Sequence, residues 1–131
     1  MSTQARWLLC FAGLSLLCAT ASGAVGSHVL TGLDERGLRA FASAVDFQFY
    51  HGLGLIAVTL VGERYVRSGA IWLGAWLLAL GTVLFCGSIY ATTFGAPDFV
   101  GSAAPIGGVA FMAGWLAFAV GVWHNTRSAI P

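Results

Sequence analysis

The sequence predicts an all-α integral membrane protein, a left-handed bundle of four transmembrane helices forming one domain over residues 1–131. Two observations carry this: an apolar, nearly uncharged composition, and the long gaps between the few charges. Of 131 residues, 58% are hydrophobic and 8% are charged, and the mean hydropathy is +0.84. Soluble chains carry about 25% charged residues. All six basic residues are arginines and the net charge is +1. That leaves no basic surface for nucleic acid, so nucleic-acid binding is excluded as a function class.

A membrane-crossing helix needs about 20 mostly apolar residues. The first span, residues 7–27, is the 21-residue uncharged stretch between Arg6 and His28. Arg6, an apolar core and Ala19-Thr20-Ala21 also fit a secretory signal. The apolar run continues through Ala24, Val25 and Gly26, however, so the segment reads as a retained helix. The second span, 46–62, is short, with 16 residues between Asp46 and Glu63. The segment before it shows Leu38, Phe41, Val45 and Phe49 at three- and four-residue steps, an amphipathic pattern. Asp34 is placed to cap that helix, and Glu35 and Arg39 form an i,i+4 pair. One long helix is therefore expected, interfacial over about 34–45 and spanning beyond. The third span, 70–93, lies in the 30 uncharged residues between Arg67 and Asp98. The fourth, 104–123, opens at Pro105, a residue tolerated in a helix's first turn.

Arginine counts in the short loops set the orientation. Arg6, Arg64, Arg67 and Arg127 lie on one side, Arg36 and Arg39 on the other beside Asp34, Glu35, Asp46 and Asp98. Both termini are expected to face the cytoplasm. Trp7, Tyr65, Trp72 and Trp123 fall near span ends, as an interfacial aromatic belt requires. Cys10, Cys18 and Cys86 are odd in number, lie in apolar runs and form no C-x-x-C pair. They read as small hydrophobes, with neither a disulfide framework nor a metal site.

Small residues recur every seven positions in three spans: Ala12, Ala19 and Gly26; Gly74, Gly81 and Ser88; Gly107, Gly114 and Gly121. Seven residues are nearly two helical turns, so each set forms a narrow stripe. Small residues let helices approach closely in lipid. These stripes are expected to face the bundle interior or a sister subunit.

The blocks GAVGSHVL at 23–30, AVDFQFYHGLGLI at 44–56, LFCGSIYATTFGA at 84–96 and PIGGVAFMAGWL at 105–116 together resemble domain-of-unknown-function family 423. These are small membrane proteins whose eukaryotic members are the transmembrane protein 256 group. The family pattern is GAxGAH, then Y-Q-x-Y-H, then F-S-G-S-x-Y, then a P-x-G-G segment ending in G-W. Ser27, Phe47 and Cys86 depart from it, and Phe47 puts any role for a first tyrosine of the block in doubt. The resemblance implies a four-span inner-membrane protein and no particular reaction.

The polar candidates are His28, Asp46, Gln48, Tyr50, His51, Ser88 and Tyr90. On a helix, Asp46 and Tyr50 share one stripe while Gln48 and His51 share another, so the four cannot converge on one ligand from a single helix. Asp46 and Tyr50 are expected at the interface, Gln48 and His51 in the bundle. One reading brings His28 and His51 together at one membrane face, where two imidazoles could hold a metal or haem. The other has His28 ending the first helix and His51 bonded to a neighbouring helix. Ser88 and Tyr90 are candidates for hydrogen bonds between helices. No nucleophile–base pair or phosphate loop is present, so no catalysis is expected and no cofactor is required. The functional expectation is a small bacterial inner-membrane protein acting in the lipid bilayer through helix contacts, as an accessory or assembly subunit or a homo-oligomer. An oligomeric channel or carrier for a small neutral solute is a second reading, and the two-histidine metal or haem protein a third.

Overall fold

The computed structural model of the chain describes residues 1–28 and 30–128, with side chains as far as Asn125. Val29 of the GAVGSHVL block and the Arg127 side chain used in the orientation argument lie outside the described residues. The elements are α1 (Thr3–His28), α2 (Glu35–Arg64), α3 (Gly69–Gly81), a π-helical turn (Thr82–Cys86), α4 (Gly87–Thr93), a 3-10 turn (Asp98–Ser102) and α5 (Ala103–Ser128). Among the described residues, four helical segments are long and apolar enough to cross a membrane: α1, α2, the continuous run from Gly69 to Thr93, and Asp98–Asn125. The chain is an all-α membrane bundle.

Local chemistry sets the helix ends. Asp34 accepts a 2.8 Å hydrogen bond from the Gly37 amide and caps α2, and Arg39 pairs with Glu35 at 2.7 Å on its first turns. Ser68 caps α3 by accepting from the Ala70 amide. After α4, Gly95 adopts φ +102° while Ala96 N donates to Ala91 O and Gly95 N to Thr92 O. This double closure needs a left-handed residue, which glycine supplies without strain.

Packing follows the small-residue stripes, and they point inward. Ala5, Ala12 and Ala19 are fully buried on α1. A β-carbon on Gly26 would lie 2.8 Å from the Phe41 ring of α2. On α5, Gly107 backs onto the Phe85 backbone, Gly114 onto Leu78 and the Gly74 carbonyl, and Gly121 onto Ile71. Gly81 lies against Phe111 and the Gly107 carbonyl. The core between them is Leu8, Leu55, Val58, Ile71, Leu78 and Phe111 with small residues around them. The first turns of α2 stay on α1, with Gly26 against Phe41 and Gly23 facing Val45. The amphipathic segment is thus the outer end of the same packed helix.

Candidate functional site

The stretch VDFQFYHGLG divides its side chains between the two sides of α2. Asp46 and Tyr50 project outward, Tyr50 with 63% of its surface exposed. Gln48 and His51 are buried, each at 6%. The two glycines accommodate different neighbours: Gly52 lies against Leu16 of α1, and Gly54 against the Trp115 ring of α5.

Gln48 is the centre of a three-helix linkage. Its Nε2 donates to the Ser15 carbonyl at 3.0 Å and to Ser15 Oγ at 3.2 Å, while its Oε1 accepts from the Tyr90 hydroxyl at 2.7 Å. Both ends of the amide are used, which is what burial of an amide in an apolar bundle demands. Tyr90 also packs on Phe41, with ring centroids 5.3 Å apart. The thiol of Cys86, on the π-helical turn beside this linkage, donates to the Ala44 carbonyl at 3.3 Å. Sequence reasoning gave Cys86 no polar role, and it missed the π turn. π-Helical turns are often found at functional sites.

His51 Nδ1 donates to its own helix, to the Phe47 carbonyl at 2.7 Å. Its ring stacks on Phe111 of α5, with centroids 3.5 Å apart and planes 14° from parallel. Phe47 and Phe85 complete the aromatic cluster, at 5.0 Å from each other. Phe111 was not a candidate, because nothing in its own apolar segment marks which helix it faces.

Two expectations are corrected. His28 and His51 do not meet. Gly52 lies level with Ala12 and Leu16, whereas His28 is exposed at the end of α1, about 20 Å further along the helix at 1.5 Å per residue. The two-histidine metal or haem site therefore has no geometry to support it. Ser88 does not bridge helices either. Its Oγ donates to the Phe85 carbonyl within its own span, leaving Tyr90 as the bridging residue. Among the described residues, no three His, Cys, Asp or Glu side chains cluster so as to hold a metal ion.

Comparison with known proteins places this geometry in context. Residues 22–108, which contain Gln48, His51 and Tyr90, match the family model described as Protein of unknown function (DUF423). The chain is 36% identical over 111 residues to the UPF0382 membrane protein SSP2132 of Staphylococcus saprophyticus, covering 84% of this chain and 91% of that one. It is 33% identical over 128 residues to the UPF0382 inner membrane protein YgdD of Escherichia coli K12, covering 95% of each. With the UPF0382 membrane protein YwdK of Bacillus subtilis it shares 32% identity over 108 residues, 82% of this chain and 88% of the relative. No solved structure matches the chain.

Proposed function

Since the chain belongs to the DUF423 family of membrane proteins, we propose that it serves the bacterial inner membrane as an accessory or assembly subunit, acting through helix contacts rather than catalysis. The observation that carries this reading is the outward pair Asp46 and Tyr50, one turn apart on α2. Among the described residues, neither the Asp46 carboxylate nor the Tyr50 hydroxyl has a hydrogen-bond partner, whereas Gln48, Ser15 and Tyr90 bond to one another. A charged group on a membrane-spanning helix is rare and is usually paired, its cost falling toward the bilayer edge where Asp46 is expected. A polar contact from another membrane chain removes that cost and gives the contact its direction.

The inward direction of the glycine stripes supports the same assignment by elimination. These stripes are used within the subunit, so association would draw on other faces, of which the α2 face carries the unpartnered polar pair. Arg6, Arg64 and Arg67 at one end of the bundle, against Arg36 and Arg39 among acids at the other, support an orientation with both termini in the cytoplasm.

The test is co-purification from native membranes of the wild-type chain and an Asp46→Asn, Tyr50→Phe variant. A defined complex held by the wild type and lost by the variant is expected, and its mass separates a second copy from a different subunit. A chain that migrates alone in mild detergent, or a complex indifferent to both substitutions, would sink the reading.

A further inference from the structure

We propose that the seam between α1 and the third span seats one acyl chain of an anionic phospholipid, whose phosphate pairs with Arg6. The seam starts between Trp7 and Phe11 on α1 and Trp76 and Leu80 on α3, around a cavity of about 370 Å³. It passes Phe11 and Val83 into a second cavity of about 600 Å³ that reaches Ser22 and Tyr90. From Trp7 to Ser22 the seam runs about 22 Å, at 1.5 Å per residue. Trp7, Trp76, Leu80 and Val83 are each roughly half exposed or more, so the seam opens sideways to lipid.

The walls suit an alkyl chain. Leu8, Phe11, Leu14, Ala79, Leu80 and Val83 line the seam with apolar surface, and its length matches one extended acyl chain.

Charge selects the headgroup. Arg6 lines a recess with Thr3, Trp7 and Cys10 at the mouth of the seam, and Trp7 belongs to both. Neither ion pair among the described residues involves Arg6. The acid at this end, Glu63, is engaged by Ser2, which donates from its amide at 2.6 Å and from its hydroxyl at 2.8 Å. Arg6, exposed at this end, is thus left without an acidic partner among the described residues, and a phosphate can take two parallel N–H bonds from its guanidinium.

Native mass spectrometry of the full chain, loaded with equal amounts of phosphatidylglycerol and phosphatidylcholine, tests the site. One phosphatidylglycerol should be retained in preference. Arg6→Gln should cut that preference about fivefold, the contribution of one arginine at an anionic surface, while Arg67→Gln leaves it intact. In detergent, with a single brominated phosphatidylglycerol retained, Trp7 and Trp76 should be quenched and the exposed Trp115 and Trp123 of α5 spared, so a Trp7→Phe, Trp76→Phe variant should lose most of the quenching. Equal retention of the two lipids, equal losses in both arginine variants, quenching unchanged in the tryptophan variant, or a protein helix cross-linked at Cys18 in place of lipid would each overturn the proposal.

Discussion

A β-carbon placed on Gly74 would lie 2.7 Å from the Gly114 carbonyl oxygen. The two helices meet backbone to backbone at this point, and the contact is the closest form of packing available where lipid supplies no hydrophobic drive. Every gain there comes from van der Waals contact, so an added methyl group must push α3 off α5. Gly74→Ala is expected to destabilise the bundle by about 1–3 kcal/mol, the range for overpacking. Gly108→Ala, where nothing lies within 4 Å of the added carbon, should be close to neutral. Unfolding in mixed micelles by rising dodecyl sulfate checks both, and equal midpoints for the two variants would contradict the packing.

The Tyr90–Gln48–Ser15 linkage predicts energetic coupling. Tyr90→Phe removes the 2.7 Å bond and leaves Gln48 Oε1 buried without its donor. Gln48→Leu removes that bond together with the two to Ser15. In membranes such bonds are worth about 0.6–2 kcal/mol. A double-mutant cycle on Gln48 and Tyr90 should return a coupling in that range. Additive losses would mean that the two side chains do not bond in the bilayer.

Periodicity alone separates Asp46 and Tyr50 from Gln48 and His51, because residues four apart share a helix face and residues two apart do not. It also finds the glycine stripes, since small residues at heptad spacing mark a contact face whatever lies opposite. The partners of those faces depend on how four helices are arranged around one another, which a one-dimensional pattern does not encode. Gln48 meeting Tyr90 and His51 meeting Phe111 are facts of that kind. The π turn at Thr82–Cys86 escapes for another reason, as TVLFC has no residue that breaks a helix. One reading of the histidines placed His28 at the end of α1 but sent the His51 bond to a neighbouring helix, whereas it stays within α2. The reading that paired His28 with His51 failed because it rested on a shared membrane face and ignored depth. About four turns of α1 separate the two levels.

That separation is measurable. His28 is exposed, so His28→Ala should change stability by less than about 0.5 kcal/mol. His51→Ala removes the stack on Phe111 and leaves a cavity, with an expected loss of about 2–4 kcal/mol. The double variant should be additive within about 0.5 kcal/mol, as distant sites are. A larger interaction energy would reinstate a shared site for the two histidines.

Two buried threonines make opposite predictions for one substitution. Thr59 is fully buried in α2, and its Oγ1 has no hydrogen-bond partner among the described residues. Thr82 opens the π turn, and its Oγ1 donates to the Leu78 carbonyl at 2.9 Å. A buried hydroxyl without a partner carries its full desolvation cost, about 1–3 kcal/mol. Valine has nearly the same shape with a methyl group in place of the hydroxyl. Thr59→Val should therefore raise stability by about 1 kcal/mol, while Thr82→Val should lower it by about 0.5–1.5 kcal/mol through loss of the bond. Unfolding midpoints of the two variants decide the matter. If both valines stabilise, the Thr82 bond contributes nothing to the turn. If both destabilise, Thr59 has found a partner in the membrane, and its hydroxyl is not orphaned.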